Sequence, residues 1–423
     1  MLKTEKIGWK SATALVVANM IGTGVFTSLG FQVLGTTNTI SILLLWVLGG
    51  LIAISGAFSY AELGAKYPRS GGEYHYLSKI YHPIVGYLSG WVSITVGFAA
   101  PIALAAMALG KYISFLLPVS ASWIASIAVL AVAIIHSLNL KSSSRFQNVT
   151  TFLKIFLIGG FIICGFFIQT PENALDYSTS WTGEIWMPVF AVSLIYVTYS
   201  YTGWNAAAYV VEEIRDPVKN LPKALLRGTL LVTILYVLLN WMFLSHATIG
   251  DLAGKVEVGQ VVAEKILGEQ GGQLISLAIA LFLISSISAM VWVGPRVSLV
   301  MAEDYSFWRF LKNKNKYEIP VRAIWFQTAI SLLMIWTGTF EAVLLYCGFI
   351  LQIFSALTVA GTFFIDRKDL PYRNPTHPWL PAFFLIISIW VLGFLIYEKP
   401  SESLFGLSNL LLGLVTYRLG TRS

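Results

Sequence analysis

Apolar stretches about twenty residues long recur along nearly the whole chain, and that pattern removes most folds from consideration. A helix needs roughly 20 mainly apolar residues to cross the hydrocarbon core of a bilayer. By that measure twelve spans are expected, over 9–31, 38–65, 81–110, 121–138, 147–169, 185–211, 222–246, 271–301, 321–338, 341–365, 379–397 and 403–418. Apolar residues make up 56% of the chain and charged residues 12%, against about 25% charge in a soluble domain. The longest segments between spans, near 170–184, 247–270 and 302–320, are too short to bury a core of their own. The first apolar segment is long and lacks a small-residue cleavage site, so it is expected to stay as the first span.

A formal charge of +7 could suggest nucleic acid, but its distribution points to a membrane. With twelve spans and both termini cytoplasmic, 22 of the 28 Lys and Arg fall on inner loops and termini. Lys111, Lys255, Lys265 and Lys399 fall outside, and Lys154 and Arg296 fall within spans. This asymmetry is the positive-inside pattern of a protein in the cell membrane. The basic segment 302–320 reads as a solvated loop near anionic headgroups. Cys164 and Cys347 lie inside expected spans and read as small buried apolar residues, with no disulfide or metal framework.

Two spans are interrupted. The first contains Ile21-Gly22-Thr23-Gly24-Val25-Phe26, and the sixth Tyr199-Ser200-Tyr201-Thr202-Gly203-Trp204-Asn205. Glycine inside a helix costs about 1 kcal/mol relative to Ala. Backbone groups freed by a break cannot stay bare in lipid and must meet protein, water or a ligand. The glycines of either segment taken alone also suit close helix packing. Interruptions at corresponding places in the first and sixth spans are the pattern of an inverted repeat of five plus five helices around a midplane site. On that reading 1–170 form the first repeat, 171–366 the second, and 367–423 two peripheral helices.

Four stretches resemble the amino acid–polyamine–organocation superfamily of permeases, and within it the bacterial relatives of the L-type amino acid transporters. The first is Ile21 to Phe26. The second is Tyr60-Ala61-Glu62-Leu63-Gly64 with Tyr67-Pro68-Arg69-Ser70-Gly71-Gly72-Glu73-Tyr74. The third is Gly203-Trp204-Asn205 with Glu212-Glu213-Ile214-Arg215-Asp216-Pro217 and Asn220-Leu221-Pro222, and the fourth Gly294-Pro295-Arg296-Val297 with Met301-Ala302. The resemblance implies a leucine-transporter-like, all-α fold with helices one and six broken. It also implies a permease or exchanger that works by alternating access, with no cofactor.

The site can then be argued physically. A zwitterion carries two charges that cost several kcal/mol each if buried unpaired. The N-terminus of a half-helix favours anions, so a carboxylate is expected against the backbone of Thr23 and Gly24, with the Thr23 hydroxyl as a further donor. Carbonyls freed in the sixth span suit the ammonium. The resemblance adds Met20 and Ile21 in the first span and Tyr199, Ser200 and Thr202 in the sixth. Trp204 and Asn205 follow the break, in a region that in relatives closes over the substrate or supports the mobile helix; bundle packing or interfacial anchoring is the other reading of Trp204. Relatives that accept cationic amino acids often carry Asp just before Gly-Trp. Here that residue is Thr202, and no acidic residue lies clearly in mid-span, which points to neutral substrates.

Lys154 sits inside the fifth span. It either snorkels to the interface or, as the resemblance implies, takes the place of a sodium ion and bridges the first span to span eight. Ser285, Ser286 and Ser288 are its candidate partners there, and transport independent of sodium is expected. Tyr236 in span seven either supports the same region, as in relatives, or simply packs. Arg296 either pairs with Glu212, Glu213 or Asp216 at a cytoplasmic gate or anchors at the headgroups. Animal L-type transporters join a heavy subunit through a cysteine between spans three and four; segment 111–121 has none, so no such disulfide is expected. The five histidines form no metal spacing, and no nucleophile triad or phosphate loop is present, so no enzyme is indicated. A channel and an amine or polyamine permease remain as alternatives, the latter requiring an acidic pocket.

Overall fold

The computed structural model describes residues 6–116, 118–138, 143–168, 175–177 and 179–420, with the backbone alone described at 143–148 and 150. The expected repeat boundary at 170/171 lies outside the described residues. In chain order the α-helices are α1 Trp9–Met20, α2 Gly24–Gln32, α3 Thr39–Lys66, α4 Glu73–Ile80, α5 Pro83–Val92, α6 Ala99–Tyr112, α7 Ala121–Leu138, α8 Ser143–Phe167, α9 Trp181–Glu184, α10 Pro188–Ser200, α11 Pro217–His246, α12 Ile249–Leu252, α13 Val258–Asp304, α14 Val321–Thr337, α15 Phe340–Ala360, α16 Trp379–Glu398 and α17 Pro400–Leu419.

Among the described residues, eight helical segments are long and apolar enough to cross a bilayer: α1 with α2, α3, α5 with α6, α7, α11, α13, α15 and α16. Apolar helices at Thr151–Phe167, Pro188–Ser200 and Val321–Thr337 are shorter, and α17 is not among the eight. Local chemistry sets where helices start. Proline opens α5, α10, α11 and α17, where its missing N–H is no loss and its φ is already helical. Asn38 caps α3 by accepting from the Ile40 N–H at 2.9 Å. Glu184 adds to that cap, accepting from the Thr37 hydroxyl at 3.0 Å and the Asn38 N–H at 3.2 Å. Partial burial would raise its carboxyl, but the Thr179, Ser41, Thr37 and Asn38 donors outweigh it and hold the group below its usual range.

The interior is built where α11 packs against α1 and α3, and α13 against α6. Trp46, Tyr60 and Tyr236 are fully enclosed there. Large apolar side chains also cover the outside: Phe156 and Phe167 on α8, Ile389 on α16 and Leu411 on α17 are exposed. In water such a surface would drive aggregation, whereas in a bilayer it is the solvated face. Cys164 lies on this outer face of α8 and is exposed, correcting the expectation of burial; Cys347 is buried.

Both expected interruptions are present. The first span stops at Met20, passes through Ile21-Gly22-Thr23, and restarts at Gly24. The sixth stops at Ser200, turns through 201–205, and continues only as a 3₁₀ helix over Ala206–Glu213. A third irregularity lies in the third span, where Ser93–Gly97 form a π-helical turn between α5 and α6. In α13 two helices meet at a kink at Gly268 (φ +74°), and the stretch after that kink contains the expected eighth span at 271–301.

Candidate functional site

The two breaks face each other, and a glycine in each allows the approach. A Cβ on Gly24 would lie 2.4 Å from the Ser200 Cα. One on Gly203 would lie 2.7 Å from the Asn19 carbonyl carbon, and Gly203 also has φ +99°. The start of α2 is thus pressed against the end of α10, and the turn after α10 against the end of α1. The Ser200 hydroxyl spans the first of these contacts, 2.8 Å from the Ser28 hydroxyl.

A helix leaves its last carbonyls without intrahelical partners and carries negative character there. At the end of α1 those groups meet donors from other helices. Tyr236 on α11 donates its hydroxyl to the Met20 carbonyl at 2.6 Å. Lys154 on α8 donates its ammonium to the Ile21 carbonyl at 2.9 Å and to the Ser286 hydroxyl on α13 at 2.8 Å. Lys154 is 1% exposed, so it does not snorkel. Of the three candidate serines, Ser286 holds the ammonium; Ser288 instead meets the His136 ring at 2.8 Å, and Ser285 is buried beside them. The Tyr236 ring also packs on Trp46 and Tyr201.

On the other side of the gap, α2 opens with N–H groups that have no partner in the preceding turn. Thr23 is buried there, and the Tyr199 phenol approaches its hydroxyl. Thr202 directs its N–H and its hydroxyl to the Tyr199 carbonyl, at 2.9 and 2.7 Å. Two donors therefore already fill that carbonyl. Trp204 packs edge-on against Tyr60 at 4.6 Å between centroids and lies over Gly56. It therefore packs in the bundle and also walls two cavities beside the break.

The larger of these, about 70 Å³, is lined in part by Asn19, Thr202, Trp204, Asn205, Ser355 and Glu73. Glu73 corrects the reading that no acid reaches the pocket. In the sequence it sits between spans two and three. In the fold, a turn at Gly71 and Gly72 (φ +114° and +55°) carries it inward, and only 3% of it is exposed. The one signal that could have found it was that glycine pair standing directly before an acid.

Several charged residues elsewhere in the motifs are ion-paired. Arg296 meets Glu213 at 3.0 Å and stacks on Trp292, Arg69 meets Asp304 at 3.3 Å, and Glu62 meets Arg367 at 2.8 Å. Of the acids considered for Arg296, Glu213 is thus the partner.

Fold and site together define a polytopic helical membrane protein whose two interrupted helices enclose a polar centre. The chain belongs to the amino acid permease family, which it matches over residues 7–411. It is 28% identical over 435 residues to the human large neutral amino acids transporter small subunit 2, covering 98% of this chain and 80% of that protein. It is 28% identical over 429 residues to the human b(0,+)-type amino acid transporter 1, covering 98% and 88%. Against the serine/threonine exchanger SteT of Bacillus subtilis it is 28% identical over 411 residues, covering 92% and 90%.

Proposed function

We propose that this protein is a secondary carrier of neutral L-amino acids in the cell membrane, independent of sodium and working by alternating access. The substrate carboxylate binds the start of α2 at Thr23 and Gly24. Its ammonium binds the carbonyls of Ser200 to Thr202, and Met20, Ile21, Tyr199, Trp204 and Asn205 complete the enclosure. The fold behind this is twelve spans arranged as five plus five in inverted repeat, 1–170 and 171–366, with 367–423 peripheral and both termini cytoplasmic. No disulfide-linked heavy subunit, cofactor or catalytic group is required.

The observation that carries the reading is the Lys154 ammonium, bonded to the broken first span and to Ser286 on α13. It supplies a fixed positive charge at the end of α1, where a cation is favoured. A sodium ion added beside it would meet repulsion in a low-dielectric site. Neutral side chains are favoured by Thr202, which is uncharged, while Glu73, the acid that reaches the cavity, is already held by the Tyr60, Ser355 and Asn205 donors. The relatives named for neutral amino acids and for serine and threonine support the same class.

The test is uptake of labelled amino acids into proteoliposomes, with external sodium or potassium and with or without internal amino acid. Equal uptake in the two salts is expected; strict dependence on sodium would overturn the role of Lys154. Stimulation by internal amino acid would establish exchange.

A further inference from the structure

Glu73 is a buried acid in the cavity wall, and the zwitterion-binding breaks do not use it. Its Oε1 accepts from the Tyr60 hydroxyl on α3, from the Ser355 hydroxyl on α15 at 3.1 Å, and from the Asn205 amide at 3.4 Å. All three donors are neutral. None of the ion pairs among the described residues includes Glu73. Of the other two buried glutamates, Glu62 has Arg367, and Glu184 caps the start of α3. An acid held inside a membrane protein without a cation is a functional group by default. This one shares a cavity with Thr202 and Asn19, and so stands beside both breaks.

We propose that Glu73 is the side-chain subsite of the substrate pocket, selecting small side chains that carry a hydrogen-bond donor, such as a hydroxyl. The proposal rests on the carrier reading above, since the breaks must first hold the amino acid's charged groups. Three donors converging on one carboxylate oxygen leave acceptor capacity on the group. The cavity, about 70 Å³, takes a small polar group and not a long chain. A purely aliphatic terminus there would displace water from the acid and leave it unsolvated, which is how a polar site rejects an apolar isostere. The Ser93–Gly97 π turn contributes to the same wall through Ser93, at a place where such irregularities tend to serve sites.

Threonine and valine have nearly the same shape, so comparing them isolates the hydroxyl. In proteoliposomes, uptake of labelled L-serine and, separately, labelled L-leucine is inhibited with unlabelled L-threonine or L-valine. Wild-type protein is expected to favour threonine by about tenfold or more, the size of one hydrogen bond to a charged group. Glu73→Ala should bring the ratio to near one without weakening valine. Glu73→Gln, which keeps an acceptor and the local packing, should retain an intermediate ratio. A purely structural role would lower the amount of folded protein or the rate without moving the ratio. Equal inhibition by threonine and valine in wild type, or an unchanged ratio in either active variant, overturns the proposal. Uptake of neither tracer nor of any other amino acid by wild type would instead overturn the carrier reading itself.

Discussion

At the scale of single residues, the most consequential group is the Lys154 ammonium. It is the strongest donor to the Ile21 carbonyl, at 2.9 Å against 3.5 Å for the Ser286 hydroxyl, and it ties that carbonyl to Ser286 on α13. Leaving one buried polar group unsatisfied costs about 1–3 kcal/mol. Lys154→Ala is therefore expected to lower amino acid uptake by about tenfold or more, measured in proteoliposomes at equal protein. Wild-type rates in that variant would mean the bridge is incidental. Lys154 and Tyr236 were legible because the family resemblance implied a role for each and because an intramembrane lysine is costly enough to demand a reason. Glu73 was not legible in the same way. Its burial depends on α3, α15 and the second break converging on a segment that reads as a loop, and no local pattern encodes that meeting.

Among elements, the two interrupted spans carry the account. Their positions followed from paired glycines and hydroxyls, but their geometry did not. Span six does not resume as an α-helix beyond its break but runs as a 3₁₀ helix over Ala206–Glu213, just after Trp204 packs on Tyr60 of α3. The π turn at Ser93–Gly97 has no glycine pair or proline to announce it. The approach of the breaks predicts a sharp difference between glycines. Gly203→Ala sets a Cβ against the Asn19 backbone and strains a positive φ, at a cost of about 1–3 kcal/mol. Uptake should be lost and the thermal midpoint in detergent lowered. Gly159→Ala on α8, with nothing within 4 Å of the added carbon, should be neutral or stabilise by up to about 1 kcal/mol. Equal behaviour of the two variants would remove the case for close apposition.

Over the whole molecule, hydropathy and the sidedness of Lys and Arg disclosed a polytopic helical protein, because both are set by the bilayer and not by particular partners. The exposed apolar faces of α7, α8, α16 and α17 answer the same constraint from outside. What remained hidden was how the helices converge, since that depends on contacts between residues far apart in the chain. The central claim is that backbone groups at the two breaks hold both charged ends of one amino acid. The direct measurement is competition for uptake of a labelled neutral L-amino acid by its own methyl ester and by the corresponding amine without a carboxylate. The account predicts that the free amino acid competes and that both analogues, having lost the anion that the start of α2 binds, compete at least tenfold more weakly. An amine that competes as well as the amino acid would contradict it.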